Sequence, residues 1–97
     1  MENFTFTAEL WRWSGDAAWR FFTVPPDVAD EIRMVSGPPR GFGSVRVEVT
    51  VGSTTWRTSV FPDSSAGTYL LPMKKAVRVA EDLEDGDEVA VTLRLVD

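Results

Sequence analysis

Apolar residues Phe4, Phe6, Ala8 and Leu10 alternate with Thr5, Thr7 and Glu9. A period of two belongs to a strand with one buried and one wet face, so the chain opens on a predicted strand over residues 4–10. The turn-forming run Ser14-Gly15-Asp16 separates it from residues 18–24, which read as a second strand stopped by Pro25. Two strands joined by such a turn predict a hairpin. Pro26 suits the first turn of a helix. Val28, Ile32 and Val35 then follow at i, i+4 and i+7, with Asp27, Asp30 and Glu31 toward the positive end. The spacing predicts a short amphipathic helix with those three apolar residues inward. The Gly/Pro-rich run 36–43 cannot continue any regular element.

The cleanest alternation is Val45, Val47, Val49 and Val51 against Arg46, Glu48 and Thr50, a third strand. After Gly52-Ser53, residues 54–61 place Trp56 and Val60 on one face and Thr55, Arg57 and Ser59 on the other, which implies a hairpin partner. Residues 62–67 break the pattern, residues 68–71 make a brief strand, and Pro72 opens a second helical segment. There Met73, Ala76, Val77 and Ala80 share one helical face, while Lys74, Lys75 and Arg78 point away. Asp85-Gly86 is a turn, and Val89, Val91, Leu93 and Leu95 give the last strand. Six strands and two short helices, without internal repeat or linker, predict a mainly β fold. We read residues 1–97 as one domain, a small six-stranded β-barrel with a helix covering an end.

Composition narrows the chemistry. The chain has 97 residues, 43% of them hydrophobic and 26% charged, with four Trp, six Phe and one Tyr. It is too apolar and aromatic for disorder, and large enough to bury a core. With no Cys and no His, disulfides, thiolate or imidazole zinc sites, Cys nucleophiles and imidazole-dependent triads are excluded. No catalytic residues are assigned. The sequence shows neither a signal-peptide pattern nor an apolar run long enough to span a membrane, and the expected location is cytoplasmic. The net charge of −5 argues against general nucleic-acid binding. However, Glu81, Asp82, Glu84, Asp85, Asp87 and Glu88 hold six of the fifteen carboxylates. The other nine, set against ten cations, leave the remainder of the chain at +1.

The ordered set of Phe4-Thr5-Phe6-Thr7-Ala8-Glu9-Leu10-Trp11, Trp19-Arg20-Phe21-Phe22-Thr23-Val24-Pro25, Trp56-Arg57-Thr58-Ser59-Val60-Phe61-Pro62, Gly67-Thr68-Tyr69-Leu70-Leu71-Pro72, Met73-Lys74-Lys75-Ala76-Val77-Arg78 and Gly86-Asp87-Glu88-Val89 resembles domain-of-unknown-function family 1905. Those are small bacterial and archaeal domains. The resemblance implies a double-split β-barrel and brings no activity, cofactor or catalytic residue. Two turns depart from the family pattern. Ser53-Thr54-Thr55 stands where a turn glycine is expected, and Glu81-Asp82 stands where relatives end the second helix with glycine. The fold class also resembles the interlocking barrels of AbrB-like regulators, dimers that bind DNA, although a fold does not fix a function.

Three constellations remain. The acidic stretch 81–88 offers oxygens to a hard cation, but its spacing is not that of an EF-hand and a solvated turn accounts for it; no metal or cofactor is expected. Lys74, Lys75 and Arg78, with Arg40 and Phe42 from the Gly-rich loop, form a candidate ligand or partner surface, or else an ordinary exposed face. Trp11 and Trp13 fall on the face opposite the buried even positions, where they would line a groove or oligomer surface unless the barrel covers them. The leading reading is a non-enzymatic binding or interaction module; the sequence does not name its partner and leaves another protein or a second copy open. The alternatives are an AbrB-like nucleic-acid-binding dimer and a small-molecule-binding protein or enzyme with a Trp-lined pocket.

Overall fold

The computed structural model describes residues 3–15, 18–37 and 43–96. Its elements are β1 (Asn3–Glu9), β2 (Trp11–Arg12), β3 (Arg20–Thr23), α1 (Pro26–Ser36), β4 (Val45–Val51), β5 (Thr54–Asp63), β6 (Thr68–Pro72), α2 (Lys75–Ala80) and β7 (Glu88–Leu95). The strands form one antiparallel, curled half-barrel sheet in the order β1-β7-β4-β5-β6-β3-β2.

The two ends of that order are successive segments of one bent strand. Leu10 still pairs toward β7, its N–H donating to the Asp87 carbonyl and its carbonyl accepting from Gly86. Trp11 then pairs with Phe21 of β3. The hand-over corrects two expectations. The strand count is seven because the first predicted strand continues past Leu10 as β2. The predicted hairpin partner of residues 4–10 is not β3 but β7, which lies at the far end of the chain. Local turn signals locate a reversal but do not choose between partners.

The β4–β5 hairpin is as expected, with Val51 opposite Thr54. Gly52 takes φ of +59°, as the first central position of a type II′ turn requires. The register puts Val47, Val49 and Val51 inward. Two prolines fix where β5 changes partners. Pro62 lies inside β5 rather than breaking it, and having no N–H it ends pairing with β4 at Val45–Val60. Beyond it β5 pairs with β6 through Phe61–Leu70, Pro62–Tyr69 and Asp63–Thr68. The next bonded pair in that register would join Ser59 to Pro72, which again has no N–H, and there the β5–β6 ladder stops. Pro72 therefore closes a strand rather than opening a helix, and β5 and the end of β6 part.

The core comprises Phe4, Phe6 and Leu10 from the bent strand, Phe22, Val24, the valines of β4, Val60, Leu71, Met73, Val91 and Leu93. Thr68, the buried polar residue among them, donates to the Val24 carbonyl at 2.5 Å. Helix α1 buries Val28, Ala29 and Ile32. Val35, expected inward, is exposed with Met34, because the last turn runs past the core. Arg33 ties that end to β6, donating to the Gly67 carbonyl at 2.7 Å and lying over the Tyr69 ring. In α2 only Val77 is buried. Six residues are too few to present the stripe expected of Ala76 and Ala80. The helix ends in a Schellman motif: Leu83 N–H donates to Arg78 O and Asp82 N–H to Val79 O, with Asp82 at φ of +53°. Asp82 thus occupies the left-handed position for which the family resemblance anticipates glycine.

Candidate functional site

Where β5 and β6 part, a groove of about 330 Å³ opens. Ala18, Trp19 and Arg20 line it from the segment entering β3. Trp56, Arg57 and Thr58 come from β5, and Pro72, Met73 and Lys74 from the end of β6. The strand period explains how β5 contributes: Trp56 and Thr58 share the inward face with Val60, yet are only half-buried because the sheet is open beside them, while Arg57 is on the outer face. Met73 closes the floor from the core side.

Among the described residues the lining carries three cations and no carboxylate. Arg20 is committed to structure, its Nε donating to Asp85 Oδ1 at 2.6 Å. Arg57 is held loosely, 3.7 Å from Glu48 Oε2, and 62% of its side chain is exposed. Glu48 is engaged more closely by Arg94, which donates Nε and Nη2 to Oε1 at 3.2 and 2.8 Å. That hydrogen bond, with the charges of both arginines, holds the Glu48 carboxyl below its ordinary value. Lys74 is exposed and has no ion pair among the described residues.

Of the residues singled out from the sequence, Lys74 lines the groove. Lys75 is exposed on α2 outside it, and Arg78 turns back to donate Nε to the Met73 carbonyl at 3.1 Å. Arg40 and Phe42 lie outside the described residues. Trp11 and Trp13 belong to an aromatic row on the outer face. Trp11 packs on Phe21 at 5.2 Å and donates Nε1 to Thr23 Oγ1; Phe21 meets Trp19 at 5.8 Å; Trp19 meets Trp13 edge-on at 6.3 Å. Trp11 is half-buried, whereas Trp13 and Trp19 are 48% and 52% exposed. Trp19 thus joins the row to the groove. Sequence reasoning did not select Trp19, Trp56 or Arg57 as site residues, and the signal that could have found them is Pro72, which interrupts pairing opposite β5.

A second cleft of about 460 Å³ holds Glu81, Asp82, Asp87 and Glu88, but no group of acids among the described residues is placed to hold a metal ion. Several carboxylates of the acidic stretch 81–88 have structural partners. Glu81 accepts from Ser53 and Thr54, Asp85 pairs with Arg20, and Asp87 accepts from the Glu84 N–H.

Fold and groove define a mainly β half-barrel domain with a cationic, aromatic cleft at its split. The chain matches the model of the family described as Domain of unknown function (DUF1905) over residues 6–93, and it belongs to that family. A comparison with curated proteins finds no match. No helix among the described residues is long and apolar enough to cross a membrane.

Proposed function

We propose that the protein is a non-enzymatic binding module whose contact surface is the groove at the split. The observation that carries this reading is the lining itself: Trp19, Trp56 and Met73 supply apolar area, Arg57 and Lys74 supply positive charge, and none of the described lining residues is acidic. Such a surface suits an anionic ligand with an apolar or planar body, oriented by two cations and stacked on indole. A chain with no His and no Cys also lacks the commonest general base and the strongest nucleophile.

The test is thermal unfolding, followed by tryptophan fluorescence, against carboxylates and phosphates of increasing apolar size, including short blocked acidic peptides. A ligand at about 100 times its dissociation constant adds about 2.7 kcal/mol, enough to raise the midpoint of a domain this small by roughly 10 °C. Arg57→Glu with Lys74→Glu should abolish the shift. A panel without any shift, or a shift indifferent to charge reversal, would overturn the reading.

A further inference from the structure

The groove has a backbone wall as well as side chains. Arg46 directs its carbonyl to β7, where it accepts from Val96 N–H. Alternation along β4 then aims the backbone groups of Val47, Val49 and Val51 at β5, and their partners Thr58, Trp56 and Thr54 aim back. The backbone groups of Thr55, Arg57 and Ser59 therefore point the other way, toward the groove. The β6 ladder begins only at Phe61, and among the described residues no ladder pairs these three with a strand on that side. Pro72, which ends β6 across from them, has no N–H to offer. Thus residues 55–59 present about 13 Å of unpaired strand edge, beside a cleft that contains two tryptophans and two lightly engaged cations.

We infer that the occupant of the groove is an acidic peptide in extended conformation, which adds as a further strand along the free edge of β5. This rests on the reading of the groove as a binding surface. A small anion could meet Arg57 and Lys74 but would leave the row of backbone donors and acceptors to water. Only an extended main chain repeats its own donors and acceptors at the spacing of a strand. The side-chain pattern of the occupant follows from the pleat. Positions across from Thr55, Arg57 and Ser59 lie on the outer face, where Arg57 favours a carboxylate; positions across from Trp56 and Thr58 lie on the inner face and favour an apolar residue. The partner is a segment in which acidic and apolar residues alternate.

The experiment titrates the intact protein with a blocked peptide of alternating valine and glutamate. Its comparators are the lysine-for-glutamate counterpart, two versions N-methylated on every second amide in opposite phase, and benzoate. Tryptophan fluorescence reports affinity, and amide hydrogen exchange reports Thr55, Arg57 and Ser59. The Val/Glu peptide should bind and slow exchange at those amides by at least about tenfold. One methylation phase should weaken binding by about tenfold or more and the other should not, since only alternate amides of an added strand face β5. The lysine peptide should bind more weakly. Equal binding of both methylated phases would overturn strand addition. Benzoate binding without peptide binding would overturn the peptide and leave the groove reading standing. Binding of neither would remove both, with the cations then serving only to guard an open edge. Concentration-dependent self-association that protects the same amides without peptide would replace the peptide with a second copy of the chain.

Discussion

Gly52→Ala probes the turn that sets which residues of β5 reach the groove. Gly52 sits at φ of +59°, where an L side chain costs about 1–2 kcal/mol. A Cβ there would also press on Oε1 of Glu81, whose carboxylate accepts from the Ser53 and Thr54 hydroxyls. Moving that carboxylate aside loosens two hydrogen bonds of about 0.5–1.5 kcal/mol each. The expected total is about 2–5 kcal/mol, a large part of the roughly 5–15 kcal/mol that stabilises a chain of this length. The assay is urea unfolding followed by tryptophan fluorescence for the parent, Gly52→Ala, Glu81→Ala and the double variant. In the Glu81→Ala background only the backbone strain remains, so Gly52→Ala should cost about 1–2 kcal/mol there, and the cycle should show a coupling of similar size. An equal cost in both backgrounds would refute the encounter with Glu81. A cost below about 0.5 kcal/mol in both would refute the turn argument itself.

Asp82→Gly should act in the opposite direction: it relieves a left-handed aspartate at the Schellman position and removes an acid from a helix C-terminus. A gain of about 0.5–1 kcal/mol is expected after the looser unfolded chain is counted, and a thermal midpoint that stays or falls would contradict it. Glu48 makes the acid limb of stability informative. Its folded pKa is lowered, first by the hydrogen bond from Arg94, so its contribution is complete above the ordinary glutamate value of about 4.3 and is lost as pH falls below that through the depressed folded value. Asp63, lowered by the Ser65 hydroxyl, adds loss of the same sign. Glu48→Gln should therefore flatten the fall in stability between neutral and acid pH, and an unchanged slope would show that the Arg94 pair does not bear on folding.

Much of this architecture is legible locally. Period-two alternation marked β1, β4, the first part of β5 and β7, because a half-buried strand writes its own face into the sequence. Gly52 marked the hairpin, and Pro25-Pro26 marked the passage from β3 into α1. Where local reading failed, the deciding contact was distant. Residues 4–10 look like one arm of a hairpin with residues 18–24, but their hydrogen bonds go to β7, and only Trp11 and Arg12 reach β3. Val35 has the spacing of a core residue but lies beyond the point where α1 still has a sheet beneath it. Pro62 and Pro72 look like breakers, and each does break a ladder, but on one edge of a strand that continues or pairs on the other.

The sequence by itself determined the class of fold, the positions of most strands and turns, and the absence of imidazole and thiol chemistry. These follow from periodicity, backbone restriction and composition, which are properties of neighbouring residues. Tertiary structure alone decided which strands pair, that the first strand bends at Leu10 to serve two partners, and that Trp19, Trp56, Arg57 and Lys74 meet at one groove. Those residues come from three stretches of chain, and their meeting depends on the curl of the sheet and on where its ladder ends. No local pattern encodes it, because alternation tells a side chain which face to take but does not tell the strand which neighbour it will have.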